Sequence, residues 1–251
     1  MMKTIKEIEK KTKSYQVRFD DEWVSIEPEI YMKFRLKLLQ SWDAKSYQSM
    51  IMENDYVHYD KLGVMRLKKM QTTKELSDYL LSKGAKEAIV KQLIVKYTDR
   101  KYLDDFSYTK LFIQLKQNSE GPQMLFNQLR EKGIAHDMIE SFTKRIDEHA
   151  ILSIQVPKKL NSMKNKSKKQ IIQTLKGYYL RKGYSLEAVE SQIKKSMSSY
   201  QVDELELIKK EYAKLCKRYK PENDQDLEYK LIQKLYAKGF KIEDIKKAIQ
   251  S

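Results

Sequence analysis

From about residue 56 onward, apolar residues recur at intervals of three and four, the spacing that gathers side chains on one face of an α-helix. The pattern comes in four copies, each keyed to a glycine: DYLLSKGAKEAI, NQLREKGIAHDMI, GYYLRKGYSLEAV and QKLYAKGFKIEDI. The glycines are Gly84, Gly133, Gly183 and Gly239, spaced 49, 50 and 56 residues apart. Leu76, Leu125, Leu175 and Leu231 lie eight positions before them, and Leu80, Leu129, Tyr179 and Leu235 lie four before. Lys83, Lys132, Lys182 and Lys238 directly precede them. This predicts a helix closed by a glycine in the left-handed conformation, with the lysine at the negative end of the helix dipole. A second helix follows, anchored by Ile139, Val189 and Ile245 six residues after the glycine, and by Ile89 five residues after Gly84. The first turn is therefore expected to be shorter or differently built. A further helix precedes each copy, over about 56–69, 104–117, 149–163 and 202–219, making three helices per repeat of about 50 residues. Helical units this short are expected to stack and share one long core.

The N-terminal region follows another period. Tyr15, Val17 and Phe19 alternate with Ser14, Gln16 and Arg18; Asp20-Asp21 interrupts; Trp23, Val24 and Ile26 resume. This reads as a β-hairpin, which residues 1–12 either extend through Ile5 and Ile8 or leave frayed. Pro28 suits the first turn of a helix to about Gln40, with Phe34, Leu38 and Leu39 as its stripe, and residues 46–53 form a second short helix. The fold class is all-α: tandem three-helix repeats in an elongated array, behind a small N-terminal β-hairpin. The expected divisions are a hairpin extension at 1–27, a helical segment at 28–55, and repeats at 56–102, 103–148, 149–200 and 201–251.

Composition narrows the function. A net charge of +15 and a pI near 9.5 favour a negatively charged partner, either nucleic acid or an acidic protein groove. The one cysteine, Cys216, forms no internal disulfide and reads as a small buried hydrophobe. No apolar stretch approaches membrane-spanning length, and MMKTIKEIEKKTK lacks a signal peptide's apolar core, so a cytoplasmic protein is expected. His58, His136 and His149 have no metal-ligand spacing, and there is no phosphate-binding glycine loop or nucleophile elbow. Asp104-Asp105 reads as a helix start and Asp20-Asp21 as a turn. A non-catalytic protein without metal or cofactor is expected.

Between Ile151 and Leu186 there are nine positive charges and no acid: Lys158, Lys159, Lys164, Lys166, Lys168, Lys169, Lys176, Arg181 and Lys182. The candidate electrostatic contacts are Lys158, Lys159, Lys164, Lys166, Lys168 and Lys169. Lysine outnumbers arginine, which favours diffuse attraction over bidentate base reading. Tyr178 and Tyr184 flank the run as candidate aromatic contacts, while Tyr179 belongs to the apolar stripe. Gly84, Gly133, Gly183 and Gly239 are candidates for shape only.

Several motifs resemble the RecX family, in its longer form with an N-terminal extension. They are Leu103-Asp104-Asp105, Tyr108, Gly121, Leu125, Leu129 and Lys132-Gly133-Ile134; before them Thr72, Thr73, Lys74, Glu75, Leu76, Tyr79-Leu80 and Lys83-Gly84; and, near the end, Leu231, Leu235 and Lys238-Gly239-Phe240. The family's usual arginine-serine pair ahead of the glutamate is replaced by Gln71-Thr72, which keeps a capping hydroxyl and loses the arginine. The resemblance implies a curved rod of three-helix repeats that binds RecA within its filament on DNA. It also implies modulation, usually inhibition, of filament growth, strand exchange and coupled ATP hydrolysis, with no catalysis of its own. The expected partners are the RecA filament and single-stranded DNA, then double-stranded DNA, with the protein a monomer. The alternatives are an independent DNA-binding protein and a helical scaffold for another acidic protein.

Overall fold

The computed structural model describes residues 2–163, 166–201, 203–219 and 225–250. The chain divides into two compact units, residues 1–109 with 131–135, and residues 110–130 with 136–251.

The N-terminal element is larger than a hairpin. Strands β1 (Lys3–Lys10), β2 (Tyr15–Phe19) and β3 (Glu22–Ile26) form an antiparallel meander, and β4 (Ser41–Trp42) joins the free edge of β1, giving the order β3-β2-β1-β4. Ile5 pairs with Phe19 and Ile8 with Val17, so the period-two residues share a face. Ile5, Val17, Phe19 and Ile26 are fully buried there with Ile30, Leu36 and Met50. Asp20 makes the β2–β3 turn at φ 50°, a left-handed conformation that aspartate tolerates better than most residues.

Helix α1 spans Pro28–Lys33 and stops well short of Gln40. The Leu39 backbone N–H bonds the Ile5 carbonyl and the Gln40 carbonyl accepts from the Ile5 N–H, at 2.9 and 3.0 Å. Pairing with the sheet edge thus draws residues 39–42 out of any helix, leaving Leu38 and Leu39 exposed. The two helices expected over 46–53 and 56–69 are one, α2 (Ala44–Arg66), capped by Asp43. Its first half packs on the sheet, where Asn54 accepts from the Glu27 N–H (2.7 Å) and donates to the Ser25 carbonyl (3.0 Å). Its second half supplies Tyr56, Tyr59 and Leu62 to the first repeat.

The remaining described helices are α3 (Thr73–Ser82), α4 (Glu87–Asp99), α5 (Asp105–Lys116), α6 (Pro122–Glu131), α7 (His136–Thr143), α8 (Glu148–Asn161), α9 (Lys168–Arg181), α10 (Leu186–Ser198), α11 (Glu204–Tyr219), α12 (Gln225–Ala237) and α13 (Ile242–Gln250). No strand occurs among the described residues after Trp42. Every leucine or tyrosine eight and four places before a repeat glycine is fully or almost fully buried. All four glycines are left-handed, with φ between 82° and 91°.

Two expectations about the repeats are corrected. The first turn is not shorter: all four second helices begin three residues after the glycine. Val90, six residues after Gly84, fills the position held by Ile139, Val189 and Ile245, with Ile89 buried beside it. One shared core is also not what the described residues show within the second unit: the buried side chains of the third and fourth repeats cluster separately, over residues 152–193 and 208–248, while the first repeat has its own cluster over 76–103. Cys216 is only half-buried rather than a core residue.

Successive repeats also touch at the Lys-Gly turns. A helix leaves its last carbonyls without partners, and these must be satisfied from elsewhere. The Lys132 carbonyl accepts from the Thr72 hydroxyl (2.7 Å), the Lys182 carbonyl from the Gly121 N–H (2.7 Å), and the Lys238 carbonyl from the Ser167 hydroxyl (2.6 Å). Thr72, Gly121 and Ser167 all stand just before the middle helix of the preceding repeat. The first of these joints lies within the first compact unit and the other two within the second. At the start of the series, the Tyr59 hydroxyl takes the same position on the Lys83 carbonyl, at 3.3 Å.

Candidate electrostatic interface

Helix α8 ends in Lys158 and Lys159, α9 begins at Lys168, and Lys166 lies just ahead of it. Ser167 caps α9 by accepting from the Gln170 N–H (3.2 Å) while donating to the Lys238 carbonyl. A hydroxyl has one donor and two acceptor sites, so one side chain performs both tasks. That joint holds Lys168 and Lys169 beside the turn of the last repeat.

The lysines fall into two groups. Lys159 lies 4.5 Å from the Tyr178 ring centroid and Lys182 5.9 Å from it, a cation–π cluster near the end of α9. Lys168 and Lys169 project from its other end, with Lys169 5.9 Å from the Tyr236 ring centroid. Nine residues of helix separate Lys169 from Tyr178, about 14 Å of rise. Among the described residues, the ammonium groups of Lys158, Lys159, Lys166, Lys168, Lys169 and Lys182 are in no ion pair, although the Lys168 backbone N–H donates to the Glu204 carboxylate (2.9 Å), whereas Lys176 pairs with Glu190. Lys164 lies outside the described residues.

The two tyrosines proposed from the sequence part company. Tyr178 is half-buried and keeps a face toward the lysines. Tyr184 is 3 % exposed, packed edge-on to Tyr179 with its hydroxyl near Gln155, and offers no surface for stacking. It stands one residue after Gly183, the position that Ala85, Ile134 and Phe240 also bury. Burial pushes the Tyr179 hydroxyl up to about 12 and raises that of Tyr184 as well. Sequence reasoning passed over Tyr229 and Tyr236 on α12, which are 62 % and 54 % exposed. Their spacing outside the leucine stripe was the available signal.

Among the described residues there is no group of three or more His, Cys, Asp or Glu side chains placed to hold a metal. No described helix is long and apolar enough to cross a membrane. The described helices form a scaffold of tandem three-helix repeats that carries these lysines on its surface.

A family model described as RecX, third three-helix domain, matches residues 202–249, here the fourth repeat. The regulatory protein RecX of Geobacillus sp. (strain WCH70) is 27 % identical over 231 residues, covering 88 % of this chain and 84 % of that protein. The regulatory protein RecX of Bacillus subtilis is 26 % identical over 261 residues, covering 96 % and 94 %. A crystal structure of regulatory protein RecX superposes with a TM-score of 0.57 at 19 % identity, covering 76 % of this chain and 99 % of that one. RecX from Lactobacillus salivarius superposes at 0.53 with 21 % identity, covering 57 % and 97 %. The chain is thus similar over most of its length to RecX regulatory proteins, and shares their fold.

Proposed function

We propose that this protein binds RecA filaments on DNA and slows their extension, with strand exchange and coupled ATP hydrolysis falling in consequence. The observation that carries the reading is the set of lysine ammonium groups on α8 and α9 that are in no ion pair among the described residues, in a chain similar to regulatory proteins. Cations left unpaired on a scaffold draw in a polyanion, and tethered repeats add weak contacts into useful affinity. The protein works as a cytoplasmic monomer. It contacts RecA and the single-stranded DNA beneath it, and contacts double-stranded DNA more weakly.

The test is RecA filament assembly on single-stranded DNA, with wild-type protein and with Lys158, Lys159, Lys168 and Lys169 all changed to Glu. Wild type slows extension, and the variant loses most of that effect while keeping its helical circular dichroism. Full activity of the variant at physiological salt removes these lysines from the interface. Tight binding to bare DNA with a steep salt slope, and no preference for the filament, transfers the function to independent DNA binding.

A further inference from the structure

Helix α12 carries a feature that its core does not explain. Leu231 and Leu235 fill the apolar stripe and are fully buried. Tyr229, Gln233 and Tyr236 lie on the opposite, exposed face at positions i, i+4 and i+7, so the two rings sit about 10 Å apart along the helix. The matching positions of the earlier repeats hold Lys74, Gln123 and Gln173, and Leu81, Arg130 and Leu180, with no aromatic among them. The scaffold therefore does not require rings there.

The surroundings are cationic. The Gly239 turn seats directly on the base of α9: a Cβ built at Gly239 would stand 2.9 Å from the Lys169 Cβ and 3.0 Å from the Ser167 hydroxyl. That approach brings Lys169 against Tyr236, with its ammonium 5.9 Å from the ring centroid. Lys230 is exposed beside Tyr229. Lys234 points the other way, onto Tyr219, where its ammonium lies 4.0 Å from the ring centroid. Glu228 is the one acid among the described side chains of α12.

We propose that this face binds a single nucleic-acid strand, with bases stacked on Tyr229 and Tyr236 and phosphates held by Lys169 and Lys230. Every base offers a π-face, and stacking needs bases free of a duplex, so the platform selects single strands without reading sequence. The assignment rests on the reading of the α8–α9 lysines as a polyanion contact and extends it to the last repeat.

The experiment measures fluorescence anisotropy of labelled oligothymidylate, and of duplex DNA, across a salt series. The proteins are wild type, Tyr229→Ala/Tyr236→Ala, Tyr229→Phe/Tyr236→Phe and Lys169→Gln/Lys230→Gln. The alanine pair weakens single-strand binding by about tenfold or more at every salt concentration, leaves the salt slope unchanged and spares duplex binding. The phenylalanine pair restores affinity, because the ring and not the hydroxyl is used. The glutamine pair lowers the slope by about 0.7 for each phosphate that is no longer neutralised.

Unchanged single-strand affinity in the alanine pair, with the glutamine pair weakened, overturns the stacking platform and leaves the charge reading intact. Equal losses on single strand and duplex overturn the selectivity. Loss of binding to RecA filaments with oligothymidylate affinity intact assigns the face to protein instead. Absence of oligothymidylate binding by wild type at low salt ends the proposal, while the filament-assembly test still decides the function.

Discussion

The joints at Gly133 and Gly239 are made by side-chain hydroxyls, whereas the joint at Gly183 is made by backbone alone. Thr72 and Ser167 each cap a helix and reach the carbonyl of the next Lys-Gly turn. Gly121 has no side chain to do this. Its N–H bonds the Lys182 carbonyl directly and the Gln123 N–H bonds the Gly183 carbonyl at 3.1 Å. The chains approach so closely that a Cβ on Gly121 would stand 2.4 Å from the Gly183 backbone, and one on Gly183 would stand 2.4 Å from the Met124 nitrogen. One requirement, a partner for a helix-terminal carbonyl, is met in two ways. Both kinds of joint are close, since a Cβ on Gly133 would stand 2.5 Å from the Lys74 Cβ, but at the backbone joint the new atom meets main chain rather than a side chain.

The sharpest break in that comparison is Gly183→Ala against Gly84→Ala. Both force a side chain into the left-handed region, at about 1–2 kcal/mol. At Gly84 the nearest atom to the new methyl is the Tyr59 hydroxyl at 3.3 Å, so little else changes. At Gly183 the methyl also meets backbone, and the total loss rises to about 3 kcal/mol or more. Urea unfolding of the two variants, compared with wild type, reads the difference as the strength of the backbone joint; equal losses would dissolve it.

Next in size are Thr72→Val and Ser167→Ala. Each removes a cap and strands a carbonyl, costing about 1–3 kcal/mol. Hydrogen exchange should show weakened amide protection at the ends of the paired turn, Lys132–Gly133 or Lys238–Gly239, and no change at Lys182–Gly183. Weakening at all three turns would mean that the joints are not separate.

The smallest effect concerns pH. Glu75 completes a capping box with Thr72 and accepts from Lys132 at 2.5 Å, which ties the Gly133 joint to a carboxylate. Burial pushes the Glu75 carboxyl up, but hydrogen bonds from Lys132 and the Thr72 N–H outweigh it and hold the group below its usual range. A carboxylate with a lowered native pKa adds stability that is present above its unfolded pKa, near 4.3, and lost as pH falls through the native value. Glu75→Gln should therefore be destabilised by less than ~1 kcal/mol at neutral pH, and that deficit should vanish in acid. Thermal melts of both proteins from about pH 7 to about pH 3 measure it; a deficit that persists in acid would put its origin in packing.

The repeat was legible because its marks are local. Leucines four apart, a lysine and a left-handed glycine each follow from helix geometry. The same locality misled at Ile89, where two adjacent apolar residues, Ile89 and Val90, offered two anchors and only the packed turn chose the second. It misled again at Leu38 and Leu39, whose helical spacing lost to hydrogen bonding with Ile5. The lysine surface was readable from charge alone. The burial of Tyr184 was not, because one residue past the glycine lies outside both periodic stripes.

By itself, the sequence determined that four similar helical repeats exist, where each closes, and that their surface is basic, since helix periodicity, glycine conformation and charge are properties of neighbours along the chain. Only the tertiary structure decided that the third and fourth repeats bury separate clusters, that carbonyl joints link successive repeats, and that Lys169 comes to lie against Tyr236. Those contacts join residues tens of positions apart, and whether a hydroxyl or a backbone N–H reaches a given carbonyl depends on how close two helices are brought, which no local pattern encodes.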